Sequence, residues 1–241
     1  MTKYDIIKND IKNAIISKKL VLGDKVPSES EICKQYNVSR ITAKRALNEL
    51  TNDGYIKRKN GSGSYVNYQP IEHLLTGFYS LYDELLKCGR NPHTKLLAFR
   101  DMLITQIPFS AEVTNQLLLY EYDHVYFLKR LRYADQEIIA LDYTFIPVKY
   151  VPSLREADFK DEHVSLFSIL KHRYDLVPDR AQESFGVCSV SKKDAADLDV
   201  TPHTPALINT RVSYHHGIPI EYNHRICKGE SYKYTVNLEM R

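Results

Sequence analysis

The stretch from Pro27 to Val66 constrains the fold more than any other part of this chain. Ser28-x-x-Glu31 has capping-box spacing: the Ser28 hydroxyl accepts from the Glu31 amide while the Glu31 side chain reaches back. A short helix is expected to start there, with Pro27 just outside its cap and Ile32, Cys33 and Tyr36 on its buried side. Asn37-Val38 makes a turn, and Ser39 is a good N-cap for a second helix. In that helix Ala43, Ala46, Leu47 and Leu50 fall at i, i+3, i+4 and i+7, a packing stripe, while Arg40, Thr42, Lys44, Arg45 and Asn48 lie mostly off it. Two short strands follow, near 55–59 and 64–66, joined through Asn60-Gly61-Ser62-Gly63, whose glycines allow a tight reversal. Upstream, Tyr4, Ile7, Ile11, Ala14 and Ile15 mark one face of a helix over 3–17, and Gly23-Asp24-Lys25 breaks the chain.

A helix that enters the major groove of DNA needs small or polar residues near its N-terminus, cations for phosphates and bases, and an apolar back. Residues 39–50 supply all three. Ser28 and Ser39, at helix starts, can offer hydroxyl and backbone N–H to phosphate, and Thr42 adds a polar side chain near the second start. Arg40 and Arg45 are the candidates for base edges, because a guanidinium binds guanine bidentately, and Lys44 is assigned to phosphate. The hairpin bears Lys57, Arg58 and Lys59, and its Gly61-Ser62-Gly63 tip suits the minor groove. Charge points the same way. Residues 1–68 carry 13 Lys and Arg against 7 Asp and Glu, whereas the remainder carries 20 against 23. A basic head on a mildly acidic body implies a polyanion partner for the head only; on charge alone a solvated face reads equally well.

The whole 1–68 segment resembles the winged helix-turn-helix of GntR-type regulators, through Gly23-Asp24, Pro27-Ser28-Glu29, Val38-Ser39-Arg40, Thr42, Ala46-Leu47, Gly54-Tyr55 and Gly61-x-Gly63. The family usually has an operator-reading arginine directly after Pro-Ser-Glu; here Ser30 stands there, and Lys44 replaces a frequent arginine.

Past residue 68 the pattern changes from helical to mixed. Residues 69–76 are expected to be a linker, because Pro70 discourages a continuous helix, and 77–241 a second domain. Helices are expected near 80–88, 110–118, 165–172 and 192–198. Strands are expected near 95–105, 125–133, 137–146, 179–188, 206–215, 218–228 and 233–239, with tight turns at Ala134-Asp135-Gln136 and His216-Gly217. The fold class is α+β: a winged helix-turn-helix followed by an antiparallel sheet with packed helices. Arg130 and Arg132 are two apart on a strand and share a face. A tight 133–137 hairpin sets Asp142 opposite Leu128, on that same face. The other face, with Phe127, Leu131, Ile139, Leu141 and Tyr143, is the core. Two guanidiniums and a carboxylate make either a site for an anionic ligand with a polar body or a surface ion-pair ladder.

The body, over about 75–239, resembles the UTRA effector domain of the HutC subfamily. The matching runs are Leu75-Thr76-Gly77-Phe78, Lys129-Arg130-Leu131-Arg132, Ile139-Ala140-Leu141-Asp142 with Ile146-Pro147, Ser165-Leu166-Phe167 and Pro219-Ile220-Glu221-Tyr222. The resemblance implies a chorismate-lyase-like fold and an effector site at Phe78, Tyr79, Arg130, Arg132, Asp142, Ser165, Phe167 and Glu221. By analogy with sugar-phosphate-responsive relatives, Arg130, Arg132 and Ser165 hold phosphate, and Asp142 and Glu221 hold sugar hydroxyls. Asp142 replaces a glutamate, Tyr79 sits where a Ser or Thr often binds phosphate, and Phe167 and Cys227 sit where tyrosines are often found.

Other signals exclude more than they add. No glycine-rich phosphate loop, nucleophile elbow or paired catalytic carboxylate appears, so no catalysis and no cofactor are expected. His215 and His216, as neighbours on a strand, face opposite ways and are not expected to chelate one ion. No apolar run approaches a membrane span, the start leads straight into an amphipathic helix, and four cysteines are scattered without CxxC spacing. These features fit a cytoplasmic protein with reduced thiols. The expectation is an effector-responsive transcription factor: a homodimeric repressor on a pseudo-palindromic operator, with a sugar phosphate as effector. A non-sugar carboxylate or amino-acid-derived effector, a lyase-like enzyme fused to a DNA-binding head, and a ligand-free DNA-bending protein are the rival readings.

Overall fold

The computed structural model describes residues 2–59, 61–68, 71–74, 80–229 and 231–235, with only the backbone at 71–74, 233 and 235. The chain divides into two compact units near residue 72.

In the first unit, α1 (Lys3–Ile16) starts at Thr2, whose side chain forms a capping box with Asp5. Every third or fourth residue (Ile7, Ile11, Ile15) is buried. The expected Ser28–Glu31 box opens α2 (Glu29–Tyr36), and Asn37, in left-handed conformation at φ 47°, ends it. Ser39 caps α3 (Arg40–Asn52) by accepting from the Thr42 amide. The α3 stripe Ala43, Ala46, Leu47 and Leu50 packs on Ile7, Ile11 and Ile32, and the hairpin closes that core with Ile56 and Val66. Burying each large aliphatic here contributes roughly 1.5–3 kcal/mol. The hairpin is β1 (Ile56–Lys59) and β2 (Gly63–Val66), antiparallel with Ile56 opposite Val66. Residues 24–26 do more than break the chain. Val26 N–H donates to Ser64 O at 2.9 Å and Val66 N–H to Asp24 O at 2.8 Å, so this segment pairs along β2.

At the boundary between the units, β3 (Ile71–Leu74) pairs with the last described strand, β10 (Tyr232–Thr235). Four residues of the expected linker are therefore a strand. Its pairing is satisfied some 160 residues downstream, which no local pattern announces. The part of the last expected strand beyond 235 lies outside the described residues. The main sheet contains β4 (Pro92–Leu103), β5 (His124–Ala134), β6 (Glu137–Pro147), β7 (Arg180–Ser189), β8 (Pro205–His215) and β9 (Ile218–Lys228). Their order is β4-β5-β6-β9-β8-β7. Among the described residues four α-helices accompany it: α4 (Leu81–Lys87), α5 (Ser110–Leu117), α6 (Leu166–Tyr174) and α7 (Lys192–Leu198).

Both faces of the sheet are covered. On one, Phe127, Leu131, Leu141, Tyr143 and Phe145 meet Val113 and Leu117 of α5 and Leu198 of α7. On the other, Leu128 and Ile146 meet Leu166, Ile169 and Leu170 of α6. The second face is thus apolar under α6, and its polar residues are buried beside it. The β8–β9 turn is a two-residue I′ type, with φ 49° at His216 and 80° at Gly217. This corrects the expectation for the two histidines. His216 has left strand geometry, so alternation stops at His215 and the two rings lie on one side, centroids 4.2 Å apart.

Candidate functional site

Two sites were expected, one in each unit. In the first unit a groove is lined by Ser28, Glu29, Ser30, Arg40, Arg58, Lys59, Gly61 and Gly63. The start of α2, the start of α3 and the hairpin tip therefore meet. Glu29 holds two of the cations: it accepts from Arg40 Nε at 3.3 Å and lies 3.9 Å from Arg58. Arg40 keeps 85% of its side chain exposed. Lys44 is exposed on the same helix. Arg45, exposed on α3, does not line the groove; its guanidinium stacks 3.9 Å from the centroid of the Tyr4 ring of α1. Gly61 and Gly63 have φ of 73° and 114°, and a Cβ on Gly63 would meet Lys25 Cε at 3.0 Å. Ser62 is tied to the Tyr65 hydroxyl at 2.6 Å.

Three hydroxyls expected at the DNA face are engaged within the head. Ser28 directs both its backbone N–H and its hydroxyl to Glu31 Oε2, each at 2.7 Å. The capping box that builds α2 thereby uses up the donors the site would need, and the Ser28 bond holds the Glu31 carboxyl below its usual range. Ser39 and Thr42 share a hydroxyl–hydroxyl bond at 3.0 Å.

In the second unit a small, partly open pocket is lined by four arginines (Arg130, Arg132, Arg211, Arg225) and two carboxylates (Asp142, Glu221). Ser165, Phe167, Asn209 and Asn223 complete its polar rim and wall. The strands assemble it by register. Asp142 of β6 pairs with Arg225 of β9, and across β8–β9 Asn209 faces Arg225, Arg211 faces Asn223 and Ser213 faces Glu221. Of the expected effector residues, Arg130, Arg132, Asp142, Ser165, Phe167 and Glu221 come together here. Phe78 and Tyr79 lie outside the described residues. Arg130's neighbour Lys129 points into the opposite face, where Asp194 and Asp197 hold its ammonium at 3.4 and 2.5 Å.

Asp142, expected to hold a sugar hydroxyl, is tied to an arginine in the pocket wall. Its two oxygens accept from Arg225 Nε at 2.6 Å and a terminal Arg225 nitrogen at 2.8 Å, and it is fully buried. Burial opposes its charge, but Arg225, then Arg132 and Arg130, outweigh burial and hold it at about 2. Each Asp142 oxygen thus already accepts one bond from Arg225. Glu221 differs: burial raises it, and only the Ser213 hydroxyl, at 2.7 Å, donates to it among the described residues.

The arginines are unequally satisfied. Arg225 is held by Asp142. Arg130 donates to the Thr144 hydroxyl at 2.9 Å, but its Nε is buried without a partner among the described residues. Arg132 comes only within 3.9 Å of Asp142, and burial, with Asp142 resisting it, presses its guanidinium down to about 10, still charged at neutral pH. Asn209 Nδ2 is a further buried donor with no partner among the described residues. Ser165, half-buried, is the N-cap of α6 and makes no side-chain capping bond. The pocket thus joins two under-neutralised guanidiniums, a helix N-terminus and a hydroxyl that makes no capping bond, a set whose chemistry suits an anion. Sequence reasoning missed Asn209, Arg211, Asn223 and Arg225. The signal was there, in polar residues at every second position of β8 and β9 that pair across the hairpin.

Comparison with known proteins decides the class. The gntR family of bacterial regulatory proteins matches residues 3–66, and the UTRA domain matches 87–233. The chain is a UTRA-domain member of the gntR family. It is a transcriptional regulator with a winged helix-turn-helix head and a UTRA effector domain. The repressor NagR of Bacillus subtilis is 25% identical over 233 residues, 95% of this chain and 90% of NagR. The regulator YurK of the same organism is 29% identical over 194 residues, 80% of this chain and 76% of YurK. The mannosyl-D-glycerate transport/metabolism system repressor MngR of Escherichia coli is 25% identical over 234 residues, 97% of this chain and 94% of MngR. The solved structure of PhnF from Mycobacterium smegmatis matches the fold with a TM-score of 0.64 at 23% identity, covering 97% of this chain and 99% of PhnF. No helix among the described residues is long and apolar enough to cross a membrane.

Proposed function

We propose that this gntR-family regulator is a homodimeric repressor whose UTRA pocket takes a small anionic metabolite of the sugar-phosphate class, which releases it from its operator. The observation that carries this is the pair Arg130 and Arg132, buried and incompletely neutralised beside the N-terminus of α6. A phosphoryl group supplies the missing charge and accepts from both guanidiniums and from Ser165. Glu221 and Asn209 then serve the polar body of the ligand, and Asp142 positions Arg225. Relatives named for mannosyl-D-glycerate and for fructoselysine utilisation are repressors tied to sugar derivatives, which favours the sugar-phosphate class. In the head, Arg40, Lys44, Arg45, Arg58, Lys59 and the Gly61–Gly63 tip face duplex DNA, with Arg40 and Arg45 on base edges. Two heads bind half-sites about one helical turn, roughly 34 Å, apart. The effector acts by binding more tightly to a dimer arrangement that the operator does not fit.

The test is operator release followed by fluorescence anisotropy, with sugar phosphates, inorganic phosphate and carboxylates as separate arms. A sugar phosphate should release the operator and raise the thermal midpoint of the protein. Arg132→Ala should keep operator affinity and lose about 2–5 kcal/mol of effector affinity. Release by carboxylates alone would redirect the ligand class, and an Arg132→Ala variant that still responds fully would remove the pocket assignment.

A further inference from the structure

We infer that Asp179, His215 and His216 form a binding site for a first-row transition-metal ion of the Zn²⁺ class, apart from the arginine pocket. One ligand atom from each of the three side chains lies within 4.8 Å of the others. Surface histidines come near carboxylates by chance, so proximity alone does not make a site. Three further features orient the groups toward one another.

First, His215 Nδ1 lies 2.8 Å from the Val177 carbonyl oxygen. A carbonyl only accepts, so Nδ1 carries the proton and Nε2 presents its lone pair. This is the backbone bond that orients metal-binding imidazoles elsewhere. Second, the His216 backbone N–H donates to Asp179 Oδ2 at 2.8 Å, which pins the carboxylate under the turn. His216 Nδ1 is itself 3.3 Å from that oxygen. Third, the I′ turn places His216 at φ 49°, and the ring comes to the same side as His215. Strand geometry would have separated them.

Two imidazoles and one carboxylate suit zinc, cobalt or nickel, and are poor donors for calcium or magnesium, which prefer oxygen. Three protein ligands leave a fourth position for water. Neighbouring charge does not forbid a cation: the adjacent Arg180 guanidinium is drawn onto the Tyr214 ring, 3.8 Å from its centroid. A bound ion would join the β8–β9 turn to residue 179, which leads into β7, the sheet's edge strand. It would act as a clasp on that edge.

The experiment is a Co²⁺ titration of the untagged full-length protein, followed by visible absorption, with Zn²⁺ competition and thermal unfolding. One cobalt per chain is expected, with d–d bands, no thiolate charge-transfer band, displacement by Zn²⁺ and a raised thermal midpoint. His216→Asn keeps a residue that tolerates the left-handed turn and should weaken cobalt binding at least about tenfold. His215→Ala and Asp179→Asn should do likewise, while Cys33→Ser and Cys88→Ser should leave it unchanged. Absence of cobalt bands, bands that persist in His216→Asn, or bands that vanish with the cysteines would each overturn the site.

Discussion

Asp142 shows how a single buried carboxylate sets the charge around a pocket by holding a neighbouring arginine. Its bidentate bond with Arg225 is fully buried, so removing one partner strands the other. Asp142→Asn should destabilise the second unit by about 3–5 kcal/mol in denaturant unfolding, because the Arg225 charge is left uncompensated. The pH dependence follows from the two carboxylates, with opposite signs. Asp142 sits at about 2, below its ordinary value, so its stabilisation is complete above the ordinary carboxylate range and is lost as pH falls through about 2. Glu221 is raised by burial, so its charged form works against the fold at neutral pH. Glu221→Gln should therefore raise the thermal midpoint above pH 7, and the gain should fade as pH drops below the usual glutamate range. A midpoint that falls at every pH would mean that Arg130 and Arg211 outweigh the burial of Glu221.

At the scale of elements, the hairpin of the head turns on two glycines of different kinds. Gly61 has open space around it, and Gly63 has Lys25 Cε where a Cβ would go, besides its φ of 114°. Gly63→Ala should cost the head about 1–3 kcal/mol and loosen operator binding, as read by thermal unfolding and anisotropy. Gly61→Asn should be tolerated. The elements of the head were legible because their signals are local: a capping box, a stripe of 3.6 period, a glycine pair. Elements whose pairing is remote were not, namely β3 with its partner β10, and the 24–26 segment along β2. Arg211 and Arg225 were missed for another reason. Polar residues at every second position read as a solvent face until a second layer is known to cover them. The turn arithmetic that set Asp142 beside Arg130 and Arg132 would have failed by one residue on β8–β9. There the tight turn pairs His215 with Ile218, but a register shift between Ser213 and Tyr214 moves the pairing on to Ser213 with Glu221, Arg211 with Asn223 and Asn209 with Arg225. Ser28 shows the converse, since its spacing was read correctly and its donors were then counted twice.

For the whole molecule, separating a basic head from an acidic body makes binding to DNA a matter of geometry as well as charge. In the proposed dimer two heads read two half-sites, so inserting about 5 base pairs between these turns one half-site to the far side of the duplex. Operator affinity measured by anisotropy should collapse on that insertion, and an unchanged affinity would mean that the heads bind independently. Arg58, beside the Glu29 bridge, should act on phosphate: Arg58→Ala should lower the salt slope of binding by about 1 on operator and random DNA alike. The Asp142–Arg225 pair has one more consequence, for how this chain finds its fold. It lies on the β6–β9 pairing, between the two hairpins β5–β6 and β8–β9. Sliding one hairpin past the other by a single residue would turn every side chain over and drive a charge in among Leu141, Phe145 and Ile226. The pair therefore works as a key cut for one lock, admitting a single alignment of the two halves and rejecting its nearest misfits.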